Sequence, residues 1–348
     1  MVGARIAARA ARDIAREARG QKLVVVSDAR VARIVAPGFL RALSAAKARP
    51  LLLTFPAGER SKSRETKARL EDRLAAAAAG RDTYFVAFGG GVTGDLAGFL
   101  AATWHRGAPV VQVPTSLLAM VDAALGGKTG VDLPAGKNLV GAFHPPTSLW
   151  ADVDLLRTLP DRELRAGLAE AVKIAAVLDA RLFARLEREA TALLARDERA
   201  LQHTVSRCLR LKARVVSEDP FDLGPRAILN FGHTVAHAIE TSSGFRMRHG
   251  EAVAIGLVAE ARVAERLTGF PRSDTARIEG LLGRLGLPVT LPRRFDAAGV
   301  ARLAVRDKKA RGGVVRCALP RRVGAPAGTD PTVPVDPERD LLPALRDN

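Results

Sequence analysis

The sequence predicts an α/β protein in two parts. An N-terminal Rossmann-like parallel-sheet domain covers residues 1–154, and a mainly α-helical C-terminal domain covers 155–348. Three observations carry this reading. Short apolar runs alternate with helical patterns through the first half, as in a parallel sheet covered on both faces. Strand-like runs largely stop after Leu155, where long helical periodicity takes over. Three of the chain's six histidines, His233, His237 and His249, gather in one small-residue and apolar stretch from Ile228 to Leu257.

Taken in order, MVGARIAARAARDIAREARG reads as an amphipathic surface helix leading into the first strand. It carries Asp13 and Glu17 and lacks the serines of a transit peptide. Leu23–Asp28 (LVVVSD) is a buried strand with Ser27 and Asp28 at its C-terminal edge. Pro50–Pro56, Thr83–Phe88 and Val110–Val113 are three more strands, and Leu149–Val153 is a fifth. Ser63–Ala79 is a helix between the second and third. Ligands of such sheets bind beyond the C-terminal strand ends.

Those ends carry the informative residues. After the third strand, Gly89, Gly90 and Gly91 make a turn without side chains, followed by a helix that Gly94 opens with Asp95 in its first turn. A close-approaching backbone before a helix N-terminus suits a pyrophosphate, although the pattern is not G-x-G-x-x-G, and a plain tight turn reads equally well. After the second strand, Glu59 suits ribose hydroxyls and Lys62 a phosphate, with helix capping by Ser61 or Ser63 as the plainer alternative. Thr115 and Ser116 follow the fourth strand. The stretch 121–146 is glycine-rich and holds Asp122, Lys128, Lys137, Asn138 and His144, which suggests a loop that surrounds an anion.

In the second half, Arg162–Leu194 reads as one or two long amphipathic helices. Glu170 and Lys173 lie one turn apart among apolar residues, so both are expected to be partly buried, and a buried charge needs a partner or a metal. Lys212 lies on a further helix, and Arg226 follows EDPFDLGP. His233 and His237 share a helix face, and a Ser-Ser-Gly break at 242–244 lets a second helix begin near His249 and return against the first. Histidines satisfied by backbone carbonyls are the plain alternative to a metal site, for which Glu170 is the candidate oxygen ligand. Near the end, a hairpin is expected through Arg311-Gly312-Gly313 into VVRCAL, and beyond Pro320 a loosely packed tail with one last short helix.

Composition narrows the function classes. With 54 Lys and Arg against 37 Asp and Glu, the net charge is +17. The basic residues are scattered and only 4% of residues are aromatic, so a base-stacking nucleic-acid platform is not expected. No apolar run approaches the ~20 residues of a membrane span. Two cysteines, Cys208 and Cys317, form no disulfide framework, which points to a reducing cytoplasm.

With these residues assembled, the chain closely resembles the 3-dehydroquinate synthase family of sugar-phosphate cyclases. The resemblance runs from about Leu23 to Pro320. It is carried by PAGE at 56–59, GGGVTGD at 89–95, HRG at 105–107, VDAALGGKTG at 121–130 and GKNLVGAF at 136–143. TLP at 158–160, LAEAVK at 168–173, NFGHTVAHAIE and HGEAVAIG complete it.

The family implies a 3-deoxy-D-arabino-heptulosonate 7-phosphate substrate, bound NAD and a divalent metal, Zn2+ or Co2+. The implied reaction is oxidation of a ring hydroxyl, loss of phosphate, reduction, ring opening and an intramolecular aldol closure, with no net redox change. By the resemblance, the metal ligands are Glu170, His233 and His249, while His237 contacts substrate near its phosphate. Asp122, Lys128, Lys173, Lys212, Arg226 and Asn230 serve catalysis at the substrate site, and Lys137, Asn138 and Lys308 bind there. Arg106 reaches the phosphate of a neighbouring subunit's substrate, which implies a homodimer. Asp28, Glu59, Lys62, Gly90, Gly91 and Asp95 hold NAD, together with Thr115, Ser116, Thr158 and the two loop lysines Lys128 and Lys137. The sequence departs from the family pattern at Asp222 (usually Glu), Pro225, Ala236 (usually Gly), Ala123, Ala124 and Ser116.

Overall fold

The computed structural model describes residues 1–134, 136–304, 314–325 and 330–346. The chain forms two compact units, Met1–Pro160 with Leu201–Leu209, and Asp161–Ala200 with Arg210–Asn348.

The first unit opens with β1 (Val2–Gly3), α1 (Ala7–Glu17), β2 (Lys22–Asp28), α2 (Ala29–Ile34) and α3 (Ala36–Ala45). It continues through β3 (Leu51–Phe55), α4 (Arg64–Ala76), β4 (Thr83–Gly89), α5 (Gly91–Thr103) and β5 (Val110–Pro114). After β6 (Lys128–Leu133) and β7 (Gly136–Phe143) come two short strands, β8 (Ser148–Leu149) and β9 (Ala151–Asp152). Five strands form a parallel sheet in the order β3-β2-β4-β5-β8.

The unbroken apolar runs follow from burial on both faces. Val24 and Val26 of β2 join Phe85, Leu96 and Leu100 in one core layer, while Leu23 and Val25 join Val86, Ile14 and Phe39 in the other. Because β2 is flanked by β3 on one side and β4 on the other, the connections diverge from it, and the crevice between the ends of β2 and β4 is the topological switch point. Asp28 and Gly89 end those two strands.

Two expectations change here. The fifth strand breaks at Trp150: Ser148–Leu149 joins the sheet edge, whereas Ala151–Asp152 pairs with Val2–Gly3. The glycine-rich stretch is also no open loop. A π-helical turn at Ala119–Ala123 leads into an antiparallel β6–β7 hairpin. Gly130 and Gly141 permit it, since a Cβ on Gly141 would lie 2.0 Å from the Thr129 carbonyl oxygen. Lys128 pairs with Phe143, six residues from Lys137, so the two lysines stand about 20 Å apart along the hairpin and do not close on one anion.

The second unit is helical: α6 (Asp161–Leu178), α7 (Ala180–Leu194), α8 (Glu198–Glu218, apart from Leu201–Leu209, which belongs to the first unit), α9 (His233–Ser242), α10 (His249–Leu267), α11 (Arg272–Arg284) and α12 (Ala297–Ala304). It is completed by β10 (Arg316–Ala318), β11 (Thr332–Pro334) and α13 (Leu342–Arg346). The helices α6, α9 and α10 form its centre. Thirteen of the nineteen residues of α10 are buried, so this helix is apolar almost all round, as a central helix must be. The break at 242–244 separates α9 from α10 as expected. The described tail is better packed than its composition suggests: Leu341, Ala344 and Leu345 are buried, and β11 pairs with β10. The turn expected at 311–313 and Lys308 lie outside the described residues.

Candidate active site

The second unit assembles a three-residue cluster. Glu170 on α6, His233 at the start of α9 and His249 at the start of α10 bring one ligand atom each to within 4.8 Å of one another. Glu170 Oε1 lies 3.5 Å from His233 Nε2 and 3.0 Å from His249 Nε2. Bonds of about 2.1 Å to a tetrahedral cation place neighbouring ligand atoms about 3.4 Å apart, so the two carboxylate–imidazole edges already stand near that spacing. The residues fit a Zn2+- or Co2+-sized ion. Among the described residues this is the one such group of three.

Backbone proximity creates the cluster. A Cβ on Gly250 would lie 2.2 Å from the Ala166 carbonyl oxygen, and one on Gly256 would lie 2.0 Å from the Gly232 carbonyl oxygen. Only glycine lets α10 approach both α6 and α9 this closely. Gly232 itself sits at φ +81, where a side chain is strained. Glu260, fully buried on α10, accepts hydrogen bonds from the backbone N–H groups of Gly232 (2.7 Å) and Val235 (3.0 Å). It therefore caps α9 from a neighbouring helix, where no side chain of the local sequence does so.

The electrostatics separate the two imidazoles. His233 turns Nδ1 to the Phe231 carbonyl at 3.2 Å, which leaves Nε2 toward the cluster. Burial and the nearby Lys173 ammonium push its pKa down to about 4. Burial also opposes charge on His249, but hydrogen bonds to Glu170 and Glu240 outweigh it and push its pKa up to about 10. Burial works to raise Glu170 too. The Lys173 ammonium, 2.6 Å from Oε2, and the His233 imidazole overcome it and hold the carboxyl well below the usual carboxylate range.

The remaining expected residues of this unit take varied places. His237 meets the His233 ring edge-on at 5.5 Å and is not among the three ligands, so its shared helix face with His233 did not make it one. Lys212 and Arg226 are both buried cations, and Arg226 Nη1 donates to the Pro220 carbonyl at 2.7 Å. Asn230 donates to the Ala227 carbonyl. Glu251 lies outside the cluster, capping α10 and holding Arg162 through two hydrogen bonds. The divergent Asp222 sits at φ +58, and Pro225 begins a 3-10 turn that carries Arg226.

In the first unit, Asp28, Gly90, Gly91, Thr115 and Ser116 stand at or just beyond the C-terminal ends of β2, β4 and β5, and Glu59 and Lys62 follow β3, whereas Lys128 and Lys137 lie on the β6–β7 hairpin and Thr158 ends a 3-10 turn after β9. Gly90 precedes α5 with no side chain capping the helix, so the N–H groups of its first turn face the strand end uncapped. A Cβ on Gly90 would lie 3.3 Å from Ser116 Oγ, which a bare backbone avoids. That cradle fits a dinucleotide's pyrophosphate. Asp28 caps α2 through the N–H groups of Arg30 and Val31, and Ser63 caps α4. Asp95 falls beyond the first turn of α5, and its carboxylate pairs at 2.5 Å with the buried Lys62, which also donates to Asn138 Oδ1. Lys137 lies 3.2 Å from Glu59. Thr158 donates to the Leu155 carbonyl, and Thr115 N–H to the Gly89 carbonyl. His105 and Arg106 both adopt positive φ, at 46° and 69°, in the turn before Gly107.

Glu240 and Glu260 were not singled out from the sequence. Each is a charged residue on an apolar helical pattern, the same signal that singled out Glu170.

A parallel α/β unit with a bare helix N-terminus at its switch point, followed by a helical unit with a Glu-His-His cluster, defines the class of NAD- and metal-binding sugar-phosphate cyclases. Within it, the chain belongs to the 3-dehydroquinate synthase family: residues 52–166 match the 3-dehydroquinate synthase N-terminal model and 167–310 the C-terminal model. It is 47% identical to the 3-dehydroquinate synthase of Symbiobacterium thermophilum over 94% of this chain and 91% of that one. Among solved structures, it is similar to a 2-deoxy-scyllo-inosose synthase complexed with carbaglucose-6-phosphate, NAD+ and Co2+ (29% identity, TM-score 0.90, 99% of this chain and 95% of that one). It is likewise similar to the 2-epi-5-epi-valiolone synthase of Streptomyces hygroscopicus subsp. jinggangensis 5008 with NAD+ and Zn2+ bound (28% identity, TM-score 0.88, 100% and 96%).

Proposed function

We propose that the chain is a 3-dehydroquinate synthase, a carbon–oxygen lyase that converts 3-deoxy-D-arabino-heptulosonate 7-phosphate to 3-dehydroquinate and phosphate in the shikimate pathway. The observation that carries this is the Glu170-His233-His249 cluster in a chain 47% identical to a 3-dehydroquinate synthase along most of its length. The lower identity to the inosose and valiolone synthases, 29% and 28%, supports this choice within the fold.

NAD supplies reversible oxidation of a ring hydroxyl, and the divalent metal, Zn2+ or Co2+, supplies Lewis acidity. Residues 1–154 are the NAD-binding domain: Asp28, Glu59, Lys62 and Asp95 hold the nucleotide's polar groups, and Gly90 and Gly91 admit its pyrophosphate. Thr115, Ser116, Thr158, Lys128 and Lys137 complete that set. Residues 155–348 are the metal and substrate domain, in which Glu170, His233 and His249 are the ligands. Lys173, Lys212 and Arg226 are cations suited to a substrate with a carboxylate and a phosphate, and burial strengthens such contacts. By the family resemblance, His237 contacts the substrate near its phosphate, and Asp122, Asn138, Asn230 and Lys308 line the substrate site. Arg106 serves a second subunit's substrate, so the enzyme acts as a cytoplasmic homodimer without nucleic-acid or membrane partners. No described helix is long and apolar enough to cross a membrane.

The test is to supply the heptulosonate phosphate with catalytic NAD+ and Zn2+ or Co2+ and to measure free phosphate and NADH. Phosphate release without accumulated NADH is expected. Stoichiometric NADH from a polyol, with no phosphate released, would remove the reading.

A further inference from the structure

We propose that Glu240 is a positioning residue for the metal ligand His249. Its carboxylate accepts the Nδ1 proton of His249 and so turns Nε2 toward Glu170 and His233. This rests on the reading that those three residues hold a divalent cation.

Glu240 Oε1 lies 3.4 Å from His249 Nδ1, and the Glu240 side chain is 2% exposed. The two ring nitrogens of His249 thus face two carboxylates, Nδ1 toward Glu240 and Nε2 toward Glu170 at 3.0 Å. His233 is oriented differently, by a backbone carbonyl. His249 needs an orienting group more, because it opens its helix and its side chain is 32% exposed, so packing alone does not fix the ring.

Nothing in helix stability calls for an acid at this place. Glu240 lies in the last turn of α9, where the macrodipole disfavours a carboxylate, and a buried carboxylate gains from a proton donor set against it. A partner imidazole supplies that donor. The connection between the two residues is closed by its own hydrogen bonds. The Glu240 carbonyl accepts from Ser243 Oγ and from Phe245 N–H, both at 2.8 Å, and Ser243 Oγ accepts from the N–H groups of Arg246 and Met247. The carboxylate and the ring are therefore held in register across nine residues. An acid on the far nitrogen fixes the tautomer of a metal-binding imidazole and raises its donor strength, an effect worth about 10–100-fold in metal affinity.

The test measures Zn2+ affinity by chelator competition, and the visible spectrum of the Co2+ form, for Glu240→Gln in the full chain. Affinity is expected to fall about tenfold or more, with a shifted Co2+ band. In a His249→Ala background the same change is expected to weaken binding less than about twofold, because the ring it orients is gone. Equal losses in both backgrounds, or wild-type affinity and spectrum in Glu240→Gln, overturn the proposal. Should Glu240→Gln not fold, Glu240→Asp keeps the charge but withdraws it by one methylene, and the same pair of measurements decides. A wild-type chain that binds no metal, or a His249→Ala variant that binds as wild type, refutes the underlying metal reading instead.

Discussion

Gly250 stands so close to Ala166 that the two helices carrying Glu170 and His249 meet backbone to backbone. A methyl group at Gly250 would lie 2.2–2.6 Å from three Ala166 backbone atoms, none of which can swing aside. Gly250→Ala gains about 1 kcal/mol of helix propensity but forces α10 off α6, and overpacking of this kind costs about 1–3 kcal/mol. Packing wins. The variant is expected to melt at lower temperature and to lose at least tenfold in Zn2+ affinity, read by thermal denaturation and by metal content after dialysis. Unchanged metal content would mean that the approach of the two helices does not set the ligand geometry.

Glu170 has two roles, which a pair of variants separates. Its Oε2 lies 2.6 Å from the Lys173 ammonium, and its Oε1 faces both imidazoles. Glu170→Gln removes the charge and leaves Lys173 buried, a cost of about 3 kcal/mol or more. The variant is expected to stay folded, to melt earlier, and to lose metal and phosphate release together. Adding Lys173→Met is expected to restore the melting temperature without restoring metal. Full phosphate release by Glu170→Gln would take Glu170 out of the ligand set.

The sequence showed a good deal of this, for physical reasons. Strands such as Leu23–Asp28 are apolar on both faces, and a local run of that kind is visible without knowing the neighbours. The α9–α10 pair was also legible, because the Ser-Ser-Gly break and the helical spacing are local. The spacing of His233 and His237 could not by itself pick out the ligands, since sharing a helix face says nothing about what lies opposite, and His249 and Glu170 come from other helices. The β6–β7 hairpin was hidden because its many glycines look like a loop, whereas Gly130 and Gly141 serve strand-to-strand contact. Glu260 caps a helix twenty-five residues upstream, a contact no local pattern signals.

Asp219 organises the loop that leads to Arg226. Its carboxylate accepts from the N–H groups of Leu223 (3.0 Å), Gly224 (2.8 Å) and Arg226 (3.2 Å). Burial works to raise its pKa, but these three donors outweigh it and hold the carboxyl below its ordinary value. A carboxyl lowered in the folded state contributes stability above its unfolded pKa of about 3.9, and that contribution fades as pH falls through the folded value. Asp219→Asn is expected to cost about 1–2 kcal/mol at pH 7. In urea melts, the gap to wild type should hold from pH 8 to pH 5 and narrow below about pH 4. A gap that widens on acidification would show the sign to be wrong.

Lys62 poses a sharper question, because its ammonium is already engaged. Buried at 5% exposure, it pairs with Asp95 at 2.5 Å and donates to Asn138 Oδ1 at 2.5 Å. The Lys62 carbonyl accepts from Asp132 N–H, and Asp132 Oδ1 accepts from Asn138 N–H. Together these contacts fasten the β6–β7 hairpin to the turn after β3. Burial acts to lower the lysine's pKa, but Asp95 outweighs it and the net shift is upward, so Lys62 is a cation at neutral pH. Lys62→Met strands Asp95 and is expected to cost about 3 kcal/mol, whereas Lys62→Met with Asp95→Asn is expected to cost less than the sum of the two single changes. NAD+ affinity then separates a latch from a ligand. If Lys62 neutralises a phosphate directly, Lys62→Met weakens NAD+ equally in the wild-type and Asp95→Asn backgrounds. If it acts only by holding the hairpin, the weakening disappears once Asp95 is neutral. Direct contact is the expected outcome, with about tenfold weakening in each background by titration calorimetry. Loss confined to the wild-type background would reassign Lys62 from cofactor binding to architecture.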